Sequence, residues 1–366
     1  MNARHAWRLV PGPLLLSRIL WLAVVVAVVR TSVPVQPLLT GIRTSLLHWD
    51  APHYIDIARA GYPPLLDYHD AFLPGYPLLI RAAALVTRDY VVAAWLVSFV
   101  SEAFALWYIA RLVMAERDRD AAAFSVWLIA LAPAALFFTA LYTESTFVAA
   151  AAASLYHARR GDAQASAVAG VAACAVRLTG LALLPALLVE TVSRTGARPS
   201  RALLWPLLLP VPMLLYCAYM QVHAHDALAY FDAQRLPSFN HFVAFPWNGF
   251  AATWHAMFSP FGGDNLSIFA REVAFGLLGL VLCLAMWASS RIPPSLSLYT
   301  TLAWLLTASL TFWRSEARYD LALFPSVLLV SDLTARIRSA RPAMLAASGA
   351  LMCAGVAIFA QGRWLG

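Results

Sequence analysis

The densest group of ionisable and aromatic side chains lies in segment 48–62, which reads HWDAPHYIDIARAGY. This segment predicts a short helix over residues 51–60, because Asp50 is a favourable N-cap residue and Gly61 is typical of the residue that follows a helix. The Asp50 carboxylate would then accept hydrogen bonds from the free backbone N–H groups of the first turn. A capping role of this kind would be structural and would not involve Asp50 in a reaction.

Asp50 also has neighbours that suit proton transfer. Trp49 precedes it, and His53 and Tyr54 follow within about one helical turn. The dipole of the helix favours a negative charge at this position, and a carboxylate held there can take a proton from a hydroxyl group as a general base. The two roles are compatible, and the residues leave both open.

Three further ionisable residues are candidates because of where they stand relative to apolar segments. Glu144 starts a helix after a proline-containing turn, where it either complements the helix dipole or faces an external cavity with Tyr142. Arg177 interrupts the apolar stretch 163–192, and it either binds an anionic phosphate through a forked hydrogen bond or extends to the lipid headgroups. Glu102 lies near the middle of an apolar helix, and the sequence identifies no partner for it.

Arg314 and Arg318 are four residues apart, which predicts that they share one face of a helix. In membrane proteins, arginines are enriched on the cytoplasmic side, so two arginines at the outer end of a helix are unusual and indicate a specific role. They either bind a phosphate group or pair with Glu316 or Asp320.

The elements that must position these residues follow from the composition. The chain has 366 residues, of which 61% are hydrophobic and 12% are charged. Soluble domains average roughly 45–50% apolar and about 25% charged residues. Apolar segments run from end to end, so the excess cannot be buried in one soluble core. The composition predicts an all-α polytopic membrane protein and excludes a disordered chain, a coiled coil and a collagen-like fibre.

The charge pattern indicates membrane topology and argues against nucleic-acid binding. The net charge is +7, and all 26 Lys and Arg positions are Arg. These arginines form short clusters between apolar runs, as expected of cytoplasmic loops. The four cysteines lie inside apolar segments and show no disulfide or zinc pattern. We therefore expect no nucleic-acid partner.

A membrane-spanning helix needs about 20 mainly apolar residues. Nine long segments are candidates: 13–30, 90–113, 121–139, 141–157, 202–222, 269–289, 295–313, 317–334 and 342–360. The stretch 163–192 is predicted to form two short helices, 163–176 and 178–192, because arginines on both sides of it place both flanking loops in the cytoplasm. The total is about eleven spans.

The chain is predicted to form one integral-membrane domain over 1–366, with its N-terminus in the cytoplasm. The segments 31–89 and 223–268 are then external loops, and most of the histidines and carboxylates fall on the external side. The first loop includes an apolar patch at 71–87, predicted to be re-entrant or interfacial. Prolines are expected to prevent a helix there from starting before Pro77.

Six motifs, in this order along the chain, resemble those of the PIG-V-type mannosyltransferases. The first reads W-D-A-x-H-Y-x-x-I-A-x-x-G-Y from Trp49 to Tyr62. The others lie at 73–81, at 133–138 with 142–145, at 177–180, at 231–234 and at 318–325. Together they cover about three quarters of the chain, and the Arg-only basic composition suits a bacterial member of the family.

The resemblance implies a GT-C-type glycosyltransferase of the plasma (inner) membrane, with its active site on the external face. It implies a polyprenyl-phosphate-linked mannose donor, a lipid or glycan acceptor, and inversion at the anomeric carbon. Asp50 would be the catalytic base, and the substrate-binding residues would be Trp49, His53, Tyr54, Glu144, Arg177, Gln234, Arg318 and Tyr319.

No metal ion or other cofactor is expected, because Arg177 and Arg318 can stabilise a phosphate leaving group and no compact carboxylate cluster is evident. Two alternatives remain open. The same fold could transfer another sugar, such as glucose or arabinose, to a cell-wall glycan. A lipid-linked-sugar flippase or transporter would need alternating access, and the one-sided distribution of polar residues disfavours it.

Overall fold

The computed structural model describes residues 3–32, 37–196, 200–237, 239–259 and 265–364. Residues 33–36, 238 and 260–264 of the two predicted external loops lie outside the described residues, as do residues 197–199. Within the described residues the fold is all-helical, with one isolated β-bridge between Val243 and Leu310. The α-helices are α1 (Ala3–Trp7), α2 (Pro11–Ser32), α3 (Leu38–Leu46), α4 (Ala51–Ala60), α5 (Gly75–Thr87), α6 (Tyr90–Glu116), α7 (Arg119–Ala130), α8 (Leu136–Thr139), α9 (Glu144–Arg159), α10 (Ala163–Val176), α11 (Leu183–Thr195), α12 (Val211–His223), α13 (Ala229–Gln234), α14 (Pro246–Met257), α15 (Asn265–Ala288), α16 (Pro294–Ala308), α17 (Glu316–Tyr319), α18 (Val327–Thr334) and α19 (Ala340–Ala360).

The prediction of an all-α, multi-pass membrane protein is confirmed. Among the described residues, five helices are long and apolar enough to cross a membrane: Arg4–Thr31, Tyr90–Glu116, Leu178–Thr195, Leu266–Ala288 and Ala340–Ala360. The count rises to seven if two bent pairs are each one span, Arg119–Ala130 with Pro133–Thr139 and Arg201–Leu208 with Val211–His223. The count of eleven is not confirmed, because described helices such as α10 (14 residues) and α16 (15 residues) are shorter than a full span.

Local features of the first predicted external loop follow the sequence closely. It carries the expected short helices, and α4 has the predicted bounds Ala51–Ala60. Gly61 follows α4 with φ 84, a conformation that favours glycine. The helix at 71–87 begins at Gly75 and not at Pro77, so that prediction was wrong. Pro77 falls in the first turn, where a missing N–H costs no intrahelical hydrogen bond.

The two predicted short helices at 163–192 are present, and the break between them falls at Arg177. A short 3₁₀ turn, Leu178–Ala182, leads into α11. The prediction that Arg314 and Arg318 share a helical face is wrong. Ser315 has φ 67, a left-handed conformation that separates Arg314 from α17.

The helices are held together by apolar packing and by buried ion pairs. The longest, α6, packs against α5, α7 and α9, and α9 also packs extensively against α10. Arg18 of α2 meets Glu102 of α6 in an ion pair of 2.5 Å, which supplies the partner that the sequence did not identify. Arg18 also donates a hydrogen bond of 2.9 Å to the carbonyl of Phe138, and so ties the end of α8 to these two helices.

Candidate active site

A cavity of about 1090 Å³ is bounded by α4, the Arg177 break, α13, α15, α16 and α17. Eight of the nine residues predicted to form the site line it: Trp49, Asp50, His53, Tyr54, Arg177, Gln234, Arg318 and Tyr319. The ninth, Glu144, is only 2% exposed and contacts two of these residues from behind the wall. The fold therefore gathers side chains that are spread over 270 positions, from 49 to 319, around one space.

Four charged groups form a continuous chain of ion pairs along this wall. Arg318 donates a hydrogen bond of 2.5 Å from Nη1 to Oδ2 of Asp50, and its Nε lies 3.1 Å from Oε1 of Glu144. Glu144 Oε1 also accepts a hydrogen bond from Nη1 of Arg177. The two guanidinium groups therefore share the carboxylate of Glu144. The second carboxylate, Asp50, lies at one end of this series of ion pairs and lines the cavity.

The position of Asp50 is set by its backbone and not by a cap. It occupies the residue before α4, but its side chain makes no capping hydrogen bond, so the capping interpretation was wrong. Its backbone N–H instead donates to the hydroxyl of Tyr142 at 3.2 Å, and that hydroxyl donates to the carbonyl of His48 at 3.1 Å. The carboxylate is left to face the cavity and Arg318.

Arg177 is positioned by close backbone contacts around the break between the two short helices. Its own backbone is extended, with φ −147 and ψ 141, which turns its side chain out of α10. A Cβ atom at Gly180 would lie 2.7 Å from the backbone nitrogen of Cys174, and one at Gly75 would lie 2.5 Å from the carbonyl oxygen of Ala175. Only glycine at these two positions lets the turn and α5 pack so closely beside Arg177.

Aromatic rings enclose the two guanidinium groups. The ring of Tyr319 lies 5.1 Å from the Arg177 guanidinium carbon and 5.3 Å from that of Arg318. Arg318 also lies 5.3 Å from the ring of Tyr142. These cation–π contacts and the ion pairs keep both arginines ordered without covering the cavity side of the cluster.

His53 and Tyr54 present mainly uncharged surfaces to the cavity. The His53 ring stacks on Phe72 at 5.0 Å, and burial lowers the pKa of His53 so that the imidazole is neutral near pH 7. Tyr54 is 5% exposed, and burial raises its pKa, so it remains a phenol. Both can donate hydrogen bonds to a bound molecule, and neither adds a charge.

Trp49 and Gln234 complete the set of predicted residues that line the cavity. Trp49 is 43% exposed and meets the ring of Trp364 edge-on at 4.8 Å. Gln234 donates a hydrogen bond from Nε2 to the carbonyl of Ala71 at 3.3 Å. This bond leaves the carbonyl oxygen of the Gln234 amide as an acceptor.

His241 is a cavity residue that the sequence analysis did not single out. Burial, reinforced by Arg314 and Arg318, lowers its pKa to about 4. The segment that carries it is joined to the α16–α17 connection by the bridge between Val243 and Leu310. No motif surrounds His241, and its place in a predicted external loop was the only signal that could have pointed to it.

The described part of the chain contains no group of three or more His, Cys, Asp or Glu side chains arranged to hold a metal ion. In this part of the chain two carboxylates line the cavity, Asp50 and Glu272. Asp50 is paired with Arg318, and Glu272 accepts a hydrogen bond of 2.8 Å from the backbone N–H of Glu316. The donor set around the cavity therefore suits an anionic group better than a cation.

Residues 23–196 match a family described as Mannosyltransferase (PIG-V). The chain is 27% identical over 158 residues to GPI alpha-1,6-mannosyltransferase 2 of Homo sapiens, covering 40% of this chain and 32% of that protein. The Cricetulus griseus enzyme of the same name is 29% identical over 164 residues, covering 41% and 32%. The aligned part thus spans about a third of these relatives. The predicted resemblance to PIG-V-type mannosyltransferases is confirmed.

Among solved structures, the chain aligns with the Archaeoglobus fulgidus oligosaccharyltransferase. The TM-score is 0.44 at 12% identity, and the match covers 89% of this chain and 51% of that one.

Proposed function

We propose, on the premise that this chain is a relative of the PIG-V-type mannosyltransferases, that it is a GT-C-type membrane glycosyltransferase. It transfers mannose from a polyprenyl-phosphate-linked donor to a hydroxyl of a lipid or glycan acceptor. The reaction takes place on the external face of the plasma membrane, and the N-terminus lies in the cytoplasm. The observation that carries this proposal is the contact of Asp50 with Arg318 at the wall of a large cavity.

Asp50 acts as the general base of the transfer. Its carboxylate takes the proton of the acceptor hydroxyl as the hydroxyl oxygen attacks the anomeric carbon. The bond between that carbon and the phosphate oxygen breaks, polyprenyl phosphate leaves, and the configuration is inverted. The proton remains on Asp50 until it passes to water.

Arg177 and Arg318 bind the phosphate. Cleavage converts a phosphodiester into a monoester and adds negative charge to the leaving group, so preorganised guanidinium groups stabilise the transition state more than the bound donor. A donor phosphate that engages Arg318 also competes with Asp50 for the same guanidinium. Donor binding therefore loosens the 2.5 Å contact and frees the base for the acceptor.

The remaining residues divide into ligand contacts and support. Trp49, His53, Tyr54, Gln234 and Tyr319 line the cavity and contact the sugar or the acceptor. Glu144, which lies behind the wall, holds the two arginines at a fixed separation.

The lipid part of the donor is accommodated by the apolar side of the same cavity. This side is lined by Phe242, Val243, Ile268, Leu302, Leu305 and Leu310. Phe242 and Val243 are also exposed at the outer surface of the protein. A prenyl chain can thus enter laterally from the outer leaflet while its phosphate reaches the arginines.

Lipid and glycan profiling of a strain that lacks the gene tests the proposal. We expect one lipid or glycan to lose a mannose, and the wild-type gene to restore it. A gene for Asp50→Asn should fail to restore it at an equal protein level. An unchanged profile, or restoration by Asp50→Asn, would argue against the proposed reaction.

A further inference from the structure

The backbone before α4 is held in a conformation that is unfavourable for its residue. Trp49 has φ 58, in the left-handed region. For a bulky side chain this conformation is unfavourable and persists only where surrounding contacts impose it. Because Trp49 immediately precedes Asp50, its backbone angles determine where the Asp50 carboxylate points.

The hydroxyl of Tyr142 bridges the two residues on either side of Trp49. It accepts a hydrogen bond of 3.2 Å from the backbone N–H of Asp50 and donates one of 3.1 Å to the carbonyl of His48. The carbonyl of His48 also accepts a longer bond, 3.3 Å, from the backbone of Ala51. One phenol therefore ties together both ends of the left-handed residue.

Tyr142 is well placed to act as a rigid anchor. It is 1% exposed and is not among the residues that line the cavity. Two hydrogen bonds stabilise the turn that carries Tyr142. The carbonyl of Phe138 accepts one from Arg18, and the carbonyl of Ala140 accepts one from the backbone N–H of Tyr142. Its ring lies beside Arg318, so the same side chain contacts both partners of the Asp50 ion pair.

We propose that Tyr142 is a positioning residue for the base: its hydroxyl holds Trp49 in the left-handed conformation and thereby directs the Asp50 carboxylate at the acceptor and Arg318. This inference rests on the proposed function, in which Asp50 is the base. Without the hydroxyl, residue 49 can relax toward ordinary backbone angles. The carboxylate then leaves its position, while the arginines that bind the donor keep theirs.

Tyr142→Phe tests the proposal, because it removes one oxygen and keeps the ring against Arg318. We expect kcat to fall about 10- to 100-fold, the loss typical of a catalytic group misplaced by about 1 Å. The KM for the polyprenyl-phosphate mannose donor should change by less than about twofold, because Tyr142 does not line the cavity and the substitution keeps the ring that contacts Arg318.

Tyr76→Phe is the matched control. Tyr76 is also fully buried, and its hydroxyl is hydrogen-bonded to Ser98 at 2.8 Å and to the carbonyl of Ala94 at 3.4 Å, not to the backbone on either side of Trp49. Both variants should unfold at similar temperatures in detergent, and Tyr76→Phe should keep its kcat.

Three results would overturn the inference: an unchanged kcat in Tyr142→Phe, an equal loss in both variants, or a loss that appears in KM alone. Asp50→Asn is measured alongside. If Asp50→Asn is inactive and Tyr142→Phe is normal, only the positioning role fails. If Asp50→Asn is active, the proposed function fails and the positioning role fails with it.

Discussion

Arg318 and Asp50 stand 268 positions apart in the chain, and the fold joins them by a hydrogen bond of 2.5 Å. Both side chains are largely buried, with 9% and 15% of their surfaces exposed. Arg318 retains a second carboxylate neighbour in Glu144, so its charge does not depend on Asp50 alone. Of the two carboxylates that contact Arg318, Asp50 lines the cavity and Glu144 does not.

Asp50→Asn should lose at least about 10²–10⁴-fold in mannose transfer, the range typical of general-base removal. The amide keeps the size of the side chain but cannot accept the proton. Stability should change little, because no backbone N–H depends on the Asp50 side chain and Arg318 keeps Glu144. Transfer by purified variants and their melting temperatures are measured together.

Asp56→Asn is the control for this variant, since Asp56 belongs to α4 but is exposed and does not line the cavity. It should retain normal transfer. Near-normal transfer by Asp50→Asn would refute the role of the base. A loss of activity matched by a fall in melting temperature would point to a structural role instead.

Local features of this site were predictable from the sequence, because their causes are local. The bounds of α4 follow from the proline in its first turn and from Gly61, whose positive φ ends the helix. The break at Arg177 was predicted from the arginines that flank 163–192, because the positive-inside rule favours placing both flanking loops on the same side of the membrane. In each case a few neighbouring residues determine the backbone.

The partners of the charged residues were not predictable, because they are set by packing between distant helices. Nothing near Glu102 in the chain indicates Arg18, and nothing near Asp50 indicates Arg318. The error at Arg314 has the same origin. Ser315 adopts a left-handed conformation, and a serine at this position does not predict such a conformation from the sequence.

Removal of divalent cations should leave the reaction largely intact. Arg177 and Arg318 supply the positive charge that a leaving phosphate needs, so transfer in excess chelator should keep at least about half of its rate. The measurement is donor-dependent transfer with and without EDTA. An absolute requirement that Mn²⁺ or Mg²⁺ restores would count against the two arginines as the main phosphate ligands.

The topology can be tested by labelling single cysteines in a variant that lacks the four native ones. Leu65 is 78% exposed in the first loop, and Arg119 is exposed beyond the end of α6. Since α6 has 27 residues, its two ends are about 40 Å apart, enough to cross a bilayer. A membrane-impermeant maleimide should label Leu65→Cys in intact cells, and Arg119→Cys only after permeabilisation. The reverse pattern would place the cavity on the cytoplasmic side and would contradict the proposed mechanism.

The stability of the first loop should depend on pH through Asp70. Burial raises the pKa of Asp70 to about 6 from its ordinary 3.8, and one carboxylate oxygen has no partner among the described residues. Between about pH 4 and 6 the folded state then holds more protons than the unfolded chain, so the free energy of unfolding falls as pH rises. The stabilising contribution of the protonated group is complete below this interval and lost above it.

Asp70→Asn removes the titration and keeps an oxygen that can accept the hydrogen bond from the backbone of Asp67. The melting temperature of the variant, relative to the wild type, should therefore rise between pH 4 and 7. The curves are measured in the same detergent at each pH. A difference that stays constant across the interval would show that Asp70 does not titrate there.

Removing one partner of the ion pair between Arg18 and Glu102 should lower the free energy of unfolding strongly, whereas replacing both partners by apolar residues should lower it little. The two side chains are 8% and 1% exposed, and Ser17 donates a further hydrogen bond to the Glu102 carboxylate. Glu102→Leu leaves Arg18 as an uncompensated buried charge, which should lower the free energy of unfolding by about 3–5 kcal/mol. Arg18→Met combined with Glu102→Leu removes both charges and should recover most of that loss.

Arg43→Met is the comparison, because Arg43 and Asp89 form an exposed pair, with 48% and 34% of their side chains accessible. Its loss should cost at most about 1 kcal/mol. All three variants are compared by denaturant unfolding in micelles. Equal losses in the single and the double variant would show that removing the buried charge of Arg18 recovers no stability, which would contradict the prediction.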